Sequence, residues 1–167
     1  GSSISIDVQL ASMYSKQKNP LVDRLLLQGR RRFNTPRLFS RQDSVRSVVK
    51  AVRDGTPFYY LPDMDFGARD SIFVPFFGVP AATITGVARL ARLANARIVP
   101  AVTRQLPGGQ GYVLTFYPAW ENFPTDDVAA DTRRVNAFIE TRVLEMPEQY
   151  YWLHKRFKTR PEGEPRF

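Results

Sequence analysis

The sequence predicts an α/β fold in which a mixed β-sheet is flanked by helices. Short apolar runs, typical of strands, alternate along the chain with segments whose apolar residues recur at helical spacing. Their order, β-α-α-β-(β)-α-β-β-α-α, is the alternation found in α/β proteins rather than separate blocks of strands and helices. No internal repeat or linker interrupts the 167 residues, so we predict a single domain over residues 1–167.

The composition is that of a folded, basic chain without cysteine. Hydrophobic residues make up 43% and aromatic residues 13%, which argues against disorder. The lack of cysteine excludes disulfides, thiolate metal sites and cysteine nucleophiles. A net charge of +8 favours an anionic partner, but it does not choose among nucleic acid, acidic lipid headgroups and an acidic protein. No apolar run approaches the ~20 residues that cross a bilayer.

The first third of the chain is predicted to contain one strand and two helices. Alternating apolar residues predict a strand over residues 4–10, and a strand so early in the chain suggests a missing upstream neighbour. Asn19 is a favourable cap for a helix that begins at Pro20 and stops near Gly29. Valines at i, i+3, i+4 and i+7 predict a second helix over residues 40–53.

The rest of the chain is predicted to contain four strands and two further helices. Pro75 lies within the second of these strands and favours an edge strand or a shaped loop there. The aromatic residues 149–157 are compatible with a helix, and residues 159–167 with a loop. The predicted strands cover residues 57–61, 71–77, 97–103 and 112–117, and the predicted helices cover residues 83–95 and 126–145.

Two carboxylates, Asp63 and Asp65, form the segment with the most chemical information. They follow the strand predicted at residues 57–61 and precede Gly67, and α/β folds place ligand-contacting residues in loops at strand ends. Such a pair can bind a metal, act as acid and base, or orient a substrate hydroxyl. The alternative is a turn in which aspartates cap backbone N–H groups.

The remaining candidates leave the chemistry open. His154 is the only histidine, and a histidine packed among aromatic rings is commoner than a lone general base. No serine nucleophile elbow, Walker loop, dinucleotide fingerprint or H-E-x-x-H motif occurs. Two basic clusters, residues 30–32 and 155–160, are suited to phosphate. Aromatic residues interleave the second cluster, which suits single-stranded nucleic acid and a membrane interface equally.

Several segments, read together, resemble the lauroyl/myristoyl acyltransferase family of lipid A biosynthesis. The most specific are residues 60–67 (YLPDMDFG) with residues 70–78 (DSIFVPFFG), and residues 152–163 (WLHKRFKTRPEG). The resemblance covers essentially the whole chain in the family's order. Shorter matching segments are residues 12–15, 18–21, 29–33, 81–83, 98–100 and 147–150.

The resemblance implies the glycerolipid acyltransferase fold and transfer of an acyl chain from acyl carrier protein to a hydroxyl of a lipid A precursor. The family's catalytic motif is H-x-x-x-x-D/E, in which the histidine acts as general base. That motif is absent here, since the residue five positions after His154 is Thr159. In the family the motif precedes the segment that begins here with Ile4. The resemblance therefore implies a C-terminal, N-terminally truncated portion of the domain, with no catalytic residue of its own and inactive alone.

The resemblance also assigns substrate-binding roles. Its arginine block is expected to hold a lipid A phosphate or the phosphopantetheine arm, and its acidic block to hold arginines or the catalytic loop. The phenylalanines are candidates for the wall of the acyl-chain site. The predicted substrate-binding residues are Arg31, Arg32, Asp63, Asp65, Gly67, Asp70, Phe73, Phe76 and Phe77.

The expected partners are acyl carrier protein, a lipid A precursor and the inner-membrane surface, on its cytoplasmic face, with the anchor in the missing N-terminal segment. We expect no metal, no nucleic acid and no cofactor besides the acyl-acyl carrier protein donor. One alternative is a glycerophospholipid acyltransferase, although the usual acidic block of that group has a Pro-Glu-Gly centre. The others are a noncatalytic membrane-surface protein and a basic nucleic-acid-binding module, which would bind with a steep salt dependence.

Overall fold

The computed structural model of the chain describes residues 8–31, 36–40 and 43–165. By its contacts the chain divides into two compact units, residues 1–60 with 93–96 and residues 61–92 with 97–167. The single domain predicted over residues 1–167 stays a prediction. Among the described residues, no helix has both the length and the apolar character needed to span a bilayer.

A three-stranded parallel sheet forms the centre of the first unit. Strand β1 (Ala11–Tyr14) lies between β2 (Arg37–Ser40) and β3 (Phe58–Tyr59) and runs parallel to both. Helix α1 (Pro20–Arg30) connects β1 to β2, and helix α2 (Val45–Arg53) connects β2 to β3. Parallel strands joined by helices confirm the α/β class predicted for the chain.

The first strand among the described residues lies further along the chain than the strand predicted at residues 4–10. Residues 8–10 are outside any strand, and residues 4–7 lie outside the described residues. The strand forms at Ala11–Tyr14, where the Ala11 N–H donates to the Pro57 carbonyl at 2.8 Å. Apolar alternation marks a buried face, but pairing partners distant in sequence decide which residues form the strand.

The helix starts in this unit follow from their capping residues. The Asn19 side chain accepts hydrogen bonds from the first turn of α1, and Pro20 holds the first helical position, as predicted. The predicted start of α2 at Ser40 is wrong, because Ser40 lies in β2 and its N–H donates to the Asp43 carboxylate at 2.6 Å. Ser44 caps α2 instead.

Two antiparallel hairpins and two helices form the second unit. The sequence predicts one mixed sheet. That prediction is wrong for the described residues, because the parallel sheet and the two hairpins share no strand hydrogen bonds. Helix α3 follows the first hairpin and ends in residues of the first unit, and α4 is the longest helix described. The elements are β4 (Ser71–Phe76), β5 (Val79–Ile84), α3 (Gly86–Ala94), β6 (Ala101–Gln105), β7 (Tyr112–Phe116) and α4 (Val128–Glu145).

The β4–β5 hairpin shows that one predicted helix begins too early and confirms that Pro75 lies in an edge strand. The helix predicted from residue 83 begins only at Gly86, because Val79–Ile84 pairs with β4 as a strand. The turn between them has positive φ angles at Phe77 and Gly78. Pro75 lies opposite Pro80 in this two-stranded sheet, and such an edge is where a proline is tolerated.

The remaining boundaries differ by a few residues. The strand predicted at residues 57–61 is only two residues long, and the one predicted from residue 97 begins at Ala101. Helix α4 begins after its cap, Asp127, and ends before Pro147, as its periodicity and the proline predict. The aromatic residues 149–157 form no α-helix: Gln149 ends a 3-10 turn at Pro147–Gln149, and a second 3-10 turn lies at Trp152–His154.

Candidate functional site

A cluster of buried and half-buried polar side chains lies in the second unit, where the segment 150–159 packs against the β4–β5 hairpin. A buried polar group is unfavourable unless it is hydrogen-bonded, so such a cluster fixes the segments that supply its partners. We call this set the polar cluster; its members are Asp63, Asp65, Thr83, Asn136, Tyr150, Arg156 and Thr159.

Arg156 is the centre of the polar cluster and is almost fully buried. Its guanidinium donates to the Ala82 carbonyl at 2.7 Å and to the Thr83 hydroxyl at 2.6 Å. The same group lies over the Phe76 ring, 5.2 Å from the ring centroid. The planar fork of arginine allows these contacts at once, so residue 156 is fixed to strand β5.

Asn136 connects helix α4 to the same hairpin. Its side-chain amide donates to the Pro75 carbonyl at 3.0 Å and to the Thr83 hydroxyl at 3.2 Å. Its side-chain oxygen accepts from Arg156 at 3.4 Å. The Pro75 carbonyl in β4 and the Thr83 side chain in β5 are thereby held to one helix residue that is fully buried.

Asp65 holds the loop after β3 to the C-terminal segment. Its carboxylate accepts the Gly67 N–H at 2.8 Å, the Thr159 N–H at 2.8 Å and the Thr159 hydroxyl at 2.9 Å. Gly67 has a φ of +91°, a conformation that glycine adopts readily. Asp65 therefore makes the hydrogen bonds to backbone N–H groups that are expected if the acidic pair forms a turn.

We expect Asp65→Asn to lower the free energy of unfolding by about 2–3 kcal/mol, because an amide replaces a charged acceptor that serves three donors. Chemical denaturation of the purified chain measures this change. Asp70→Asn is the matched control, since Asp70 is exposed and its substitution should change stability by less than about 0.5 kcal/mol. Equal effects of the two substitutions would contradict the anchoring role of Asp65.

Asp63 and Tyr150 form the other side of the polar cluster. Burial raises the pKa of Tyr150 well above its ordinary value, and the charge of Asp63, which is hydrogen-bonded to Tyr150, raises it further. Burial likewise lowers the pKa of Arg156, while the nearby Asp63 and Asp65 oppose that shift.

His154 lies beside the polar cluster, among aromatic rings. Its Nε2 is 3.4 Å from the Tyr150 hydroxyl, and its ring stacks on Tyr151 with 5.9 Å between centroids. This is the packed aromatic setting that the sequence favours for a lone histidine. Among the described residues, no group of three or more His, Asp or Glu side chains could hold a metal ion.

The three phenylalanines of the predicted acyl-chain wall have different surroundings. Phe76 is fully buried and packs against Phe77 at 4.9 Å and Phe157 at 5.9 Å between ring centroids. Phe73 and Phe77 are exposed. A wall that an acyl chain contacts needs accessible apolar surface, which Phe73 and Phe77 have and Phe76 lacks.

Arg31 lies in the first unit, apart in sequence from the acidic and phenylalanine residues of the second. It is exposed at the C-terminal cap of α1, and it lines an open cleft of about 770 Å³. Three further cations line the same cleft: Lys16, Lys18 and Arg24. One acidic residue, Asp23, lines it as well. The cleft is thus suited to a phosphate group. Arg32 lies outside the described residues.

Most of the polar cluster cannot be recognised from the sequence alone. Arg156 and Tyr150 belong to a segment whose charges and rings suggest an exposed surface, and Thr159 lies where a loop is predicted. Thr83 does leave a signal, because it is a polar residue on a strand face that it shares with Val79 and Ala81. Asn136 leaves none, because Thr132, Arg133 and Glu140 are among its neighbours one helical turn away. A buried polar residue of this kind indicates a hydrogen-bonded network.

Comparison with known proteins gives consistent matches along the chain. The family model described as bacterial lipid A biosynthesis acyltransferase matches residues 5–159. A lipid A biosynthesis lauroyltransferase of Escherichia coli (strain K12) is 44% identical over 154 residues, which cover 92% of this chain and 50% of that protein. A lipid A biosynthesis acyltransferase of Haemophilus influenzae is 38% identical over 155 residues, covering 93% of this chain and 48% of that protein.

A third relative has a different acyl group in its name. A lipid A biosynthesis myristoyltransferase of Escherichia coli (strain K12) is 37% identical over 158 residues, covering 93% of this chain and 48% of that protein. The chain spans about half the length of the curated relatives it matches.

Proposed function

The chain belongs to the bacterial lipid A biosynthesis acyltransferase family, and on that premise we propose that it forms part of an enzyme that adds a secondary acyl chain to a lipid A precursor. The observation that carries this proposal is the similarity to lipid A acyltransferases over more than nine tenths of the chain. In the reaction, a hydroxyl oxygen of the acceptor attacks the thioester carbonyl of acyl-acyl carrier protein. The C–S bond breaks, an ester forms, and the carrier thiol leaves with a proton.

The cationic cleft of the first unit is proposed to hold a phosphate of the acceptor or of the phosphopantetheine arm. Arg31 can bind a phosphate through two parallel N–H···O bonds, and Lys16, Lys18 and Arg24 add positive charge around it. Acyl carrier protein is acidic in this scheme, so the net charge of +8 would also favour its approach. Both attractions weaken as salt is added.

Phe73 and Phe77 are proposed to contact the acyl chain. Apolar burial contributes roughly 0.8 kcal/mol per methylene, so a fatty acyl chain binds mainly through such a surface. Asn136 and Arg156 hold the hairpin that carries both rings, through the Pro75 carbonyl and strand β5. The polar cluster is therefore proposed to position the acyl-chain wall rather than to carry out proton transfer.

The general base is proposed to lie outside these 167 residues. His154 is the only histidine. The family's H-x-x-x-x-D/E motif requires an acidic residue five positions after the histidine, and Thr159 stands there. We expect the chain alone to be inactive and a version extended upstream, which includes that motif, to transfer the acyl group. The thioester already supplies an activated acyl group, so we propose no further cofactor. The proposed location is the cytoplasmic face of the inner membrane, where an amphiphilic acceptor would lie.

The experiment measures transfer of a labelled acyl group from acyl carrier protein to a lipid A precursor by the upstream-extended chain. We expect Arg31→Ala to lower kcat/KM about 10- to 100-fold, because a charge-assisted contact to phosphate contributes about 1.5–3 kcal/mol. Arg104→Ala, at an exposed arginine on β6, is the matched control and should leave kcat/KM unchanged. Loss of transfer in both variants, or in neither, would contradict the role proposed for Arg31.

A further inference from the structure

Residues 150–159 combine buried anchors with an exposed apolar tip. Tyr151, Trp152 and Leu153, which we call the apolar tip, are 65%, 51% and 79% exposed. Arg156, only three residues further on, is almost fully buried. Scattered exposed apolar side chains are ordinary on a protein surface, but three consecutive ones so close to a buried arginine require an explanation.

Contacts next to the apolar tip hold it in a defined position. On its C-terminal side, Arg156 is bonded to β5 and Thr159 is bonded to Asp65. On its N-terminal side, the Tyr150 ring packs against Phe76 with 6.1 Å between the ring centroids. Within the tip itself, the Trp152 indole N–H donates to the Pro147 carbonyl at 2.8 Å. The segment therefore loses its conformational entropy on folding. Little further entropy is lost when such a preorganised tip binds a partner.

The chemistry of the apolar tip matches that of a membrane–water interface. Tryptophan and tyrosine are enriched at the level of lipid headgroups, where one end of the ring is apolar and the other is wet. Lys155 and Lys158 are exposed close by in sequence, and lysine near a bilayer surface is attracted to anionic headgroups. A leucine that is 79% exposed gains most from leaving water.

We propose that the apolar tip inserts into the headgroup region of a bilayer containing anionic phospholipid, with Lys155 and Lys158 against the lipid phosphates. This inference deepens the membrane location in the proposed function by naming the segment that makes the contact. Its test requires no acyl transfer, so the two can fail separately.

The side-chain contacts favour a membrane over the nucleic-acid alternative for this segment. Arginine and lysine both contact nucleic-acid phosphates, but the Arg156 guanidinium of this segment is bonded inside the protein. Arg160 likewise donates to the Pro80 carbonyl at 2.7 Å and pairs with Glu164. Leu153, the most exposed member of the tip, has no π-face on which a base could stack.

Tryptophan fluorescence tests the insertion directly, because the chain has only two tryptophans. In Trp120→Phe, only Trp152 remains, and its emission should shift to the blue when vesicles of equal parts phosphatidylglycerol and phosphatidylcholine are added. Lipids brominated on their acyl chains should quench it. In Trp152→Phe, the emission of Trp120 should stay unchanged. The chain should bind neutral phosphatidylcholine vesicles at least about tenfold more weakly, because each lysine then loses about 1 kcal/mol of attraction to anionic headgroups.

A matched pair of double variants separates the tip from general surface hydrophobicity. Tyr151→Ser/Leu153→Ser should lower the vesicle partition coefficient at least about tenfold, because two apolar side chains no longer leave water. Tyr112→Ser/Leu144→Ser removes residues of closely similar exposure, 65% and 71%, and should leave the coefficient unchanged. Unchanged near-ultraviolet circular dichroism would show that both variants remain folded.

Three results would overturn the proposal. One is an unshifted Trp152 emission with anionic vesicles, and another is an equal loss of binding in the two double variants. The third is a Trp152 shift with single-stranded oligonucleotide but not with vesicles, which would establish the nucleic-acid interpretation instead.

Discussion

Arg156→Met should lower the free energy of unfolding by about 4 kcal/mol, a large effect for one substitution. Methionine retains much of the apolar stem but none of the donors. The Ala82 carbonyl and the Thr83 hydroxyl oxygen then lose donors at 2.7 and 2.6 Å in a site that is closed to water. Each lost hydrogen bond to a charged donor costs about 1.5–3 kcal/mol, and the Thr83 hydroxyl oxygen keeps only the Asn136 amide as a donor. Urea denaturation followed by circular dichroism gives the value.

Lys158→Met is the control for this substitution, because it removes an exposed cation from the same segment. Its effect should stay within about 0.5 kcal/mol, as for surface positions in general. A loss of less than about 1 kcal/mol in Arg156→Met would contradict the central place given to this guanidinium.

Phe76→Ala should destabilise the chain by about 3–5 kcal/mol, because it leaves a cavity in a fully enclosed site. The ring lies under the Arg156 guanidinium and packs against Phe77 and Phe157. Phe73→Ala is the matched control on the same strand; its ring is exposed, so the loss should be below about 1.5 kcal/mol. Thermal or chemical unfolding of both variants measures the difference.

The same two variants separate core packing from an acyl-chain contact. In the upstream-extended chain, Phe73→Ala should reduce acyl transfer while leaving stability nearly unchanged. Similar destabilisation by the two substitutions would contradict the distinction between Phe76 as core and Phe73 as accessible surface.

Local signals predicted the features that depend on a few neighbouring residues. Asn19 and Pro20 mark the start of α1 because capping needs only the first turn of the helix. Pro75 marks an edge strand because proline offers no N–H to a second neighbour. The periodicity of α4 and the proline after it placed that helix to within two residues.

Features that depend on distant partners could not be predicted in this way. Strand β2 (RLFS) has no apolar alternation and exists because β1 pairs with it. The sequence of β5 is rich in small residues and was predicted in part as helix, but it pairs with β4. Arg156 was assigned to a basic surface cluster, since a sequence does not reveal that Ala82 and Thr83 are its partners.

The candidate site was predicted in part. The acidic pair belongs to the polar cluster, and Asp65 is almost fully buried with three hydrogen bonds, while a substrate-binding role for the pair stays a prediction. Its partner Thr159 lies 94 residues away, too far for any spacing argument. The substrate-binding roles of Arg31, Asp63 and the phenylalanines stay predictions.

The most direct test of the proposed function is a choice between acceptors. The upstream-extended chain would be given labelled acyl-acyl carrier protein of several acyl lengths, with a lipid A precursor or a glycerol phosphate acceptor. We expect transfer to the lipid A precursor and none to the glycerol phosphate. Transfer to the glycerol phosphate acceptor, or to neither acceptor at any acyl length, would contradict it.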